Sequence, residues 1–221
     1  MPARSPIVRS RLLAVTAAAF FVVAALGRLA GSALLTGWDG RVIERLALHR
    51  DSTVTGWMDA LSFIGGGWIA IPVGLLVSLW LYRRGDRQAA LCYAATGLSG
   101  WALSILLKIG FQRLRPNLVE RLAGAGGFSY PSGHAMLAPL VFGLGVVLLV
   151  RGAPRWISGP AVAGALALSV GIALSRVYLA VHYPTDVIGA LLAGSAWAAL
   201  GVAVWSPLDP HPTRVPGSPA R

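Results

Sequence analysis

Ser175-Arg176-Val177-Tyr178-Leu179-Ala180-Val181-His182-Tyr183-Pro184-Thr185-Asp186 lies between two long apolar runs and reads as a polar turn at a membrane surface. Pro184 suits the first turn of a helix, where its missing N–H costs nothing. Asp186 falls in that same turn, near the positive end of the helix dipole. His182 and Asp186 are spaced i, i+4, which puts them on one face of a helix beginning near here. A carboxylate so placed accepts one imidazole N–H and leaves the other nitrogen with a free lone pair, prepared as nucleophile or base. Arg176 adds a permanent, forked cation suited to phosphate oxygens. The competing interpretation is a loop whose His and Asp merely cap the next helix, and on this stretch alone the two stand level.

The surrounding composition decides the class. Of 221 residues, 56% are hydrophobic and 12% charged, against about 25% charged in soluble domains. Together with a mean hydropathy of +0.68 this marks an integral membrane protein. The net charge of +11 does not indicate nucleic acid, because the basic residues are scattered singly between apolar runs. Cys92 is the single cysteine, so the chain forms no internal disulfide. Arginine accounts for all but one of the basic residues, and the one lysine is Lys108. A chain so biased toward Arg that keeps Lys at one place suggests that the compact ammonium matters there.

Six spans are expected, at about 20 apolar residues each. The first run, Leu12 to Leu35, has the form of a cleaved signal peptide or a retained helix; its length, and Arg28 placed to snorkel near one end, favour the helix. Val42 to Leu48 has helical spacing and suits the membrane surface. Further spans are read at Trp57 to Tyr82 (with Gly65-Gly66-Gly67 as a bend), Ala89 to Leu107, Ala135 to Val150, Trp156 to Leu174 and Thr185 to Trp205. Residues 1–56 thus form an N-terminal helix and outer loop, and the Pro-rich tail 206–221 is expected to be disordered. Gly27 and Gly31 carry the small-xxx-small spacing of close helix contacts. The loops with Arg83, Arg84, Arg87, Arg151 and Arg155 are basic with few acids, whereas the opposite loops balance their cations with Asp39, Glu44, Asp51, Asp59, Glu120 and Asp186. The positive-inside rule then places both termini in the cytoplasm and the turn around His182 outside.

Two more polar motifs emerge on that face. In Lys108-Ile109-Gly110-Phe111-Gln112-Arg113-Leu114-Arg115-Pro116, Lys108 and Arg115 stand two helical turns apart and face one way if the helix runs on past the membrane. Pro116 then ends it. Tyr130-Pro131-Ser132-Gly133-His134 opens the next helix, where free backbone N–H groups, the Ser132 hydroxyl and a close approach at Gly133 make an anion site. His134 adds a proton that titrates near neutral pH. An ordinary helix entry explains the Pro-Ser-Gly but not the histidine; His49 and His211 lie in a polar loop and the tail. Burying Lys108, Arg115 and Arg176 at mid-bilayer would cost roughly 8–10 kcal/mol in all. They must sit at a membrane end or line a polar cavity, and three cations around a helix start require an anion, best a phosphate. No cluster of carboxylates or histidines remains for a metal.

Lys, six residues, Arg-Pro; Pro-Ser-Gly-His; and Ser-Arg, five residues, His, three residues, Asp together resemble the signature of the type 2 phosphatidic acid phosphatase, or lipid phosphate phosphatase, superfamily, which shares its core with vanadium haloperoxidases. The resemblance covers residues 57–205, and all motif positions are present in order. It implies an all-α, six-helix membrane bundle with its site at one membrane face, and removal of phosphate from a lipid without metal or other cofactor. It also implies roles: His182 as nucleophile, Asp186 as its orienting partner and His134 as general acid. Lys108, Arg115, Ser132, Gly133 and Arg176 would hold the phosphate. Undecaprenyl diphosphate, phosphatidylglycerophosphate and phosphatidic acid all present a suitable terminal phosphate. The rival expectations are a phosphotransferase using the same site and a non-enzymatic membrane lipid-binding protein. A haloperoxidase is disfavoured, because that activity gives no reason for six membrane spans.

Overall fold

The structure, a computed structural model, describes residues 6–205. The tail 206–221 and the first five residues, with the disorder expected of the tail, lie outside the described residues. Among the described residues the regular elements are helices, and their breaks fall where local chemistry places them. Helix α1 (Pro6–Leu29) ends in a short turn, and Ser32 caps α2 (Ala33–Leu48) by accepting a hydrogen bond from the Leu35 N–H. Asp51 caps α3 (Ser52–Gly65) through the Thr53 and Val54 N–H groups, both at 2.9 Å. The expected bend at the glycine triplet is real: extended backbone at Gly66 separates α3 from α4 (Gly67–Arg83), and the two axes differ by 47°. Gly85, at φ +83°, turns the chain into α5 (Arg87–Phe111), which Asp86 caps.

After α5 the structure departs from expectation. The helix does not run on through Arg115; Gln112 adopts the left-handed conformation at φ 48° and ends it. Residues 112–132 then form an irregular loop, so Lys108 and Arg115 meet through loop geometry rather than as a helical pair. The next apolar rod, Gly133–Leu149, comprises α6 (Gly133–Ala138), a π-helical turn (Pro139–Gly143) and α7 (Leu144–Leu149). Pro139 has no N–H to give to an α-helical bond, and the wider π turn takes up that irregularity. Helix α8 (Arg155–Tyr178) and α9 (Pro184–Trp205) complete the described residues.

Among the described residues four helices are long and apolar enough to cross a membrane, α1, α5, α8 and α9, with the bent pair α3–α4 as a fifth span. Gly133–Leu149 falls short of that length, so the count is four or five full-length spans rather than an established six. Apolar side chains such as Trp68, Leu75, Leu98, Trp101 and Trp156 cover the outside of the bundle, as a multi-pass membrane protein requires. Inside, α9 packs along α1, α3 lies on α8, and α6 is wedged between α8 and α9. Gly27 does serve close contact, but within the chain: a Cβ there would meet the Phe111 ring at 2.5–2.7 Å, while Gly31 faces open space. At one end of the bundle the Arg151 guanidinium pairs with Asp86, tying together the two basic turns. At the other end α5 and α8 finish while α6 and α9 begin, and all three sequence motifs converge there.

Candidate active site

Helix α9 starts at Pro184, as expected, but His182 lies just before it rather than on it. The pair is made by capping instead of helical spacing. The Asp186 carboxylate reaches back to accept the Tyr183 N–H at 2.9 Å, and the same Oδ2 faces His182 Nδ1 at 3.4 Å. Ser129 Oγ donates to that oxygen as well and lies 3.3 Å from Nδ1. Both His182 and Asp186 are buried. This arrangement places the imidazole proton on Nδ1 and the lone pair on Nε2, which receives a hydrogen bond from Arg115 Nη1 at 3.0 Å. Burial, reinforced by Arg115 and Lys108 and opposed by Asp186, drops His182 from the ordinary imidazole range to about 4, so the ring is neutral at physiological pH.

Of the cations, Arg115 touches that nitrogen and Lys108 acts on the ring electrostatically. Arg115 spreads its guanidinium over the carbonyls of Gly126, Gly127, Phe128 and Val181. Lys108 Nζ donates to the Phe128 carbonyl at 2.9 Å. Arg176, at the end of α8, is buried and donates to Ser62 on α3. Its Nε and the buried Ser132 Oγ have no hydrogen-bond partner among the described residues. Buried polar atoms are rarely left so, and both of these belong to motifs read as phosphate contacts. Gly133 opens α6 directly after Ser132, and a Cβ there would come no closer than 3.8 Å to Ser104 Oγ. Packing within the protein therefore does not demand glycine at this position. His134, in the first turn of α6, sits against the α3–α4 break, where a Cβ at Gly66 would lie 3.6 Å from its Nε2. It is within electrostatic reach of Arg176, His182, Arg115 and Lys108. All eight residues singled out in the sequence, His182, His134, Asp186, Lys108, Arg115, Ser132, Gly133 and Arg176, thus stand at one end of the bundle.

Three contributors were not anticipated. Arg113 donates to Asp186 Oδ1 at 2.6 Å and to Asp39 Oδ2 at 2.7 Å, with its guanidinium carbon 4.1 Å from the centre of the Tyr183 ring. Burial opposes its charge, but the two carboxylates outweigh burial and hold Arg113 above the ordinary guanidinium value. Asp39 had the look of an outer-loop acid, yet it is fully buried in α2. Ser129 directly precedes the Tyr-Pro-Ser-Gly-His motif, and Arg113 lies two residues before the motif arginine, so nearness to a motif was the available signal for both. Asp39 carries no such signal. Among the described residues no group of three or more His, Cys, Asp or Glu side chains converges as a metal site would need.

The sequence model of the PAP2 superfamily matches residues 88–208. An undecaprenyl-diphosphatase from Sulfolobus acidocaldarius is 29% identical over 192 residues, covering 85% of this chain and 88% of that one. Phosphatidylglycerophosphatase B from Bacillus subtilis is 28% identical over 160 residues, covering 71% and 77%. In fold, the crystal structure of a transmembrane PAP2 type phosphatidylglycerolphosphate phosphatase from Bacillus subtilis superposes with a TM-score of 0.80 over 86% of this chain and 94% of the other, at 22% identity.

Proposed function

The chain belongs to the PAP2 superfamily, and from that premise we propose that it is an integral membrane phosphatase that hydrolyses the terminal phosphate of a lipid phosphate or diphosphate through a phosphohistidine on His182. The observation that carries this reading is a neutral, buried His182 whose Nε2 faces Arg115, beside Lys108, Arg176 and the unpartnered Ser132 hydroxyl. Arg115 occupies the lone pair of Nε2 in the free protein. Phosphate oxygens are the stronger acceptors, so substrate draws the guanidinium onto itself and releases Nε2 for attack. Burial and the surrounding cations, Arg176 first among them, push His134 down to about 3 in the free protein; the negative charge of a bound phosphate offsets those cations and favours its imidazolium. Nε2 then bonds to phosphorus as the ester or anhydride P–O bond breaks, and the departing oxygen takes the proton of that imidazolium. Lys108, Arg115, Arg176 and the N–H groups opening α6 stabilise charge on the equatorial oxygens, with Ser132 donating as well. Water, deprotonated by His134, then attacks phosphorus and breaks the P–N bond, restoring both histidines. Asp186 holds the Nδ1 proton throughout.

The named relatives make undecaprenyl diphosphate and phosphatidylglycerophosphate the first substrates to try, with phosphatidic acid as a third. Purified protein in detergent, given no acceptor lipid, is expected to release inorganic phosphate from at least one of them. Release only when an acceptor lipid is present would make it a phosphotransferase instead. Every step above uses only groups of the protein and water. Chelators are accordingly expected to leave the rate unchanged, and vanadate, a mimic of five-coordinate phosphorus, to inhibit. Loss of activity with chelator and recovery with magnesium would overturn the metal-free assignment.

The basic turns between α4 and α5 and before α8 support an orientation with the opposite end, and the site, on the outer face and both termini in the cytoplasm. Gly124 lies exposed in the 112–132 loop, where an added Cβ would meet nothing within 4 Å, and the native Cys92 is buried. Gly124→Cys is therefore expected to label with an impermeant thiol reagent on intact cells. Labelling that needs permeabilised cells would invert the orientation.

A further inference from the structure

Asp186 has two carboxylate oxygens with separate duties. Oδ2 serves His182, Ser129 and the Tyr183 N–H, while Oδ1 is engaged by Arg113. Arg113 is in turn fixed from its far side. Nη2 donates to Asp39 Oδ2 at 2.7 Å, and Nη1 donates to Thr185 Oγ1 at 2.6 Å. Asp39 closes the ring by accepting the Thr185 N–H on Oδ1 at 3.0 Å and the Thr185 hydroxyl on Oδ2 at 2.6 Å. Tyr183 stacks under the guanidinium. Each member is buried or nearly so, with Asp39 and Asp186 at 0% side-chain exposure and Arg113 at 9%. A lone buried carboxylate or guanidinium would be strongly unfavourable; here two negative charges flank one positive, and hydrogen bonds take up both oxygens of each carboxylate.

We propose that Arg113 and Asp39 are positioning residues for the reaction: they clamp Asp186 and the Thr185 turn so that His182 presents Nε2 to the phosphate. The clamp reaches the reacting nitrogen only through Asp186, and it rests on the reading of His182 as nucleophile. It also brings the N-terminal part of the chain into the site. Asp39 belongs to α2, within residues 1–56 and outside the 88–208 stretch that carries the family match. Arg113 is therefore distinct from the phosphate-holding cations, since both halves of its fork are committed to carboxylates and Thr185. His182, by contrast, faces Asp186 from α9, Arg115 from the loop, Lys108 from α5 and His134 from α6.

The test uses the full-length protein in detergent with a soluble aryl phosphate. Arg113→Met is expected to lower kcat by about ten- to a hundredfold through misplacement of the nucleophile, with KM within about threefold of wild type and inhibition by vanadate, the five-coordinate mimic, weakened along with kcat. Removing that cation also lets Asp186 act more fully on His182, favouring the imidazolium. The acid limb of kcat/KM should therefore move to higher pH. Arg113→Lys, which can reach only one carboxylate at a time, should fall between the two. If Arg113→Met does not fold, Asp39→Asn provides the measurement: its one oxygen can still accept the Thr185 N–H, its NH2 cannot accept from Arg113 or the Thr185 hydroxyl, and it should lower kcat with KM retained. Unchanged kcat in these variants overturns the clamp. So does a raised KM with kcat intact, which would make Arg113 a phosphate-binding cation. A wild-type protein inert toward aryl and lipid phosphates alike would defeat the functional reading, and the positioning role with it.

Discussion

Replacing His182 by alanine is expected to abolish turnover of every substrate, however good the leaving group, a loss of about 10⁴-fold or more. The His182 lone pair is held in one orientation: Asp186 and Ser129 fix Nδ1, and Arg115 faces Nε2. His134 is expected to behave differently. Its task is to protonate an alkoxide or a phosphate as it leaves, a contribution of about 10²–10⁴-fold. An aryl oxide scarcely needs that proton. His134→Ala should therefore fail on lipid yet still complete the first step with an aryl phosphate. The second step would then lack its base, so phosphohistidine should accumulate. It would be found as an acid-labile, base-stable phosphate on the peptide containing His182. Label on a His134 peptide would reverse the two roles, and substantial aryl phosphate turnover by His182→Ala would remove the covalent mechanism.

The parts of this site that were legible in the sequence are those in which a residue's type and its immediate neighbours dictate its position. Pro184 with Asp186, and Ser132 before Gly133, mark helix starts by local chemistry, and both starts are where they were expected. Lys108 stood out because composition left it the only lysine. The helix end at Gln112 was less visible, since a left-handed residue there is set by the loop that must return to the Ser129 N–H and the Arg113 carbonyl, joined at 2.7 Å. The short rod Gly133–Leu149 read as a full span because hydropathy registers apolar length and not the bundle around it. Asp39 was illegible for a different reason. Its meaning comes from Arg113 and Thr185, which are far away in the chain and meet it only after α2 is laid beside α9. A buried acid whose partners are all remote leaves no periodicity or spacing to find.

That dependence on helix placement makes Gly194 the position where a small change should do most harm to the whole arrangement. It lies on α9 facing the turn from α6 into the π-helical segment. A Cβ added there would clash with the Met136 carbonyl oxygen and sit 2.7 Å from Pro139 Cγ. Neither neighbour can swing aside: one is backbone, and the other is a ring whose φ is fixed. The helices must instead separate. Overpacking of this kind costs about 1–3 kcal/mol, but its functional consequence follows from what the two helices carry. α6 begins with Ser132, Gly133 and His134, α9 begins beside His182 with Asp186, and one backbone bond, Ser132 N–H to the Asp186 carbonyl at 3.2 Å, joins the two starts. Spreading the pair moves the general acid and the anion site away from the nucleophile, and misplacement by about 1 Å can cost a hundredfold in rate. Gly194→Ala is therefore expected to lower the thermal midpoint in detergent and to lower kcat by at least about tenfold. Gly97→Ala is the control: it lies in α5 with nothing within 4 Å, and alanine in an open helical position gains roughly 0.5–1 kcal/mol over glycine. It should hold or raise the midpoint and leave the rate alone. Wild-type melting and rate in Gly194→Ala would mean that some other contact sets the distance between the two histidines.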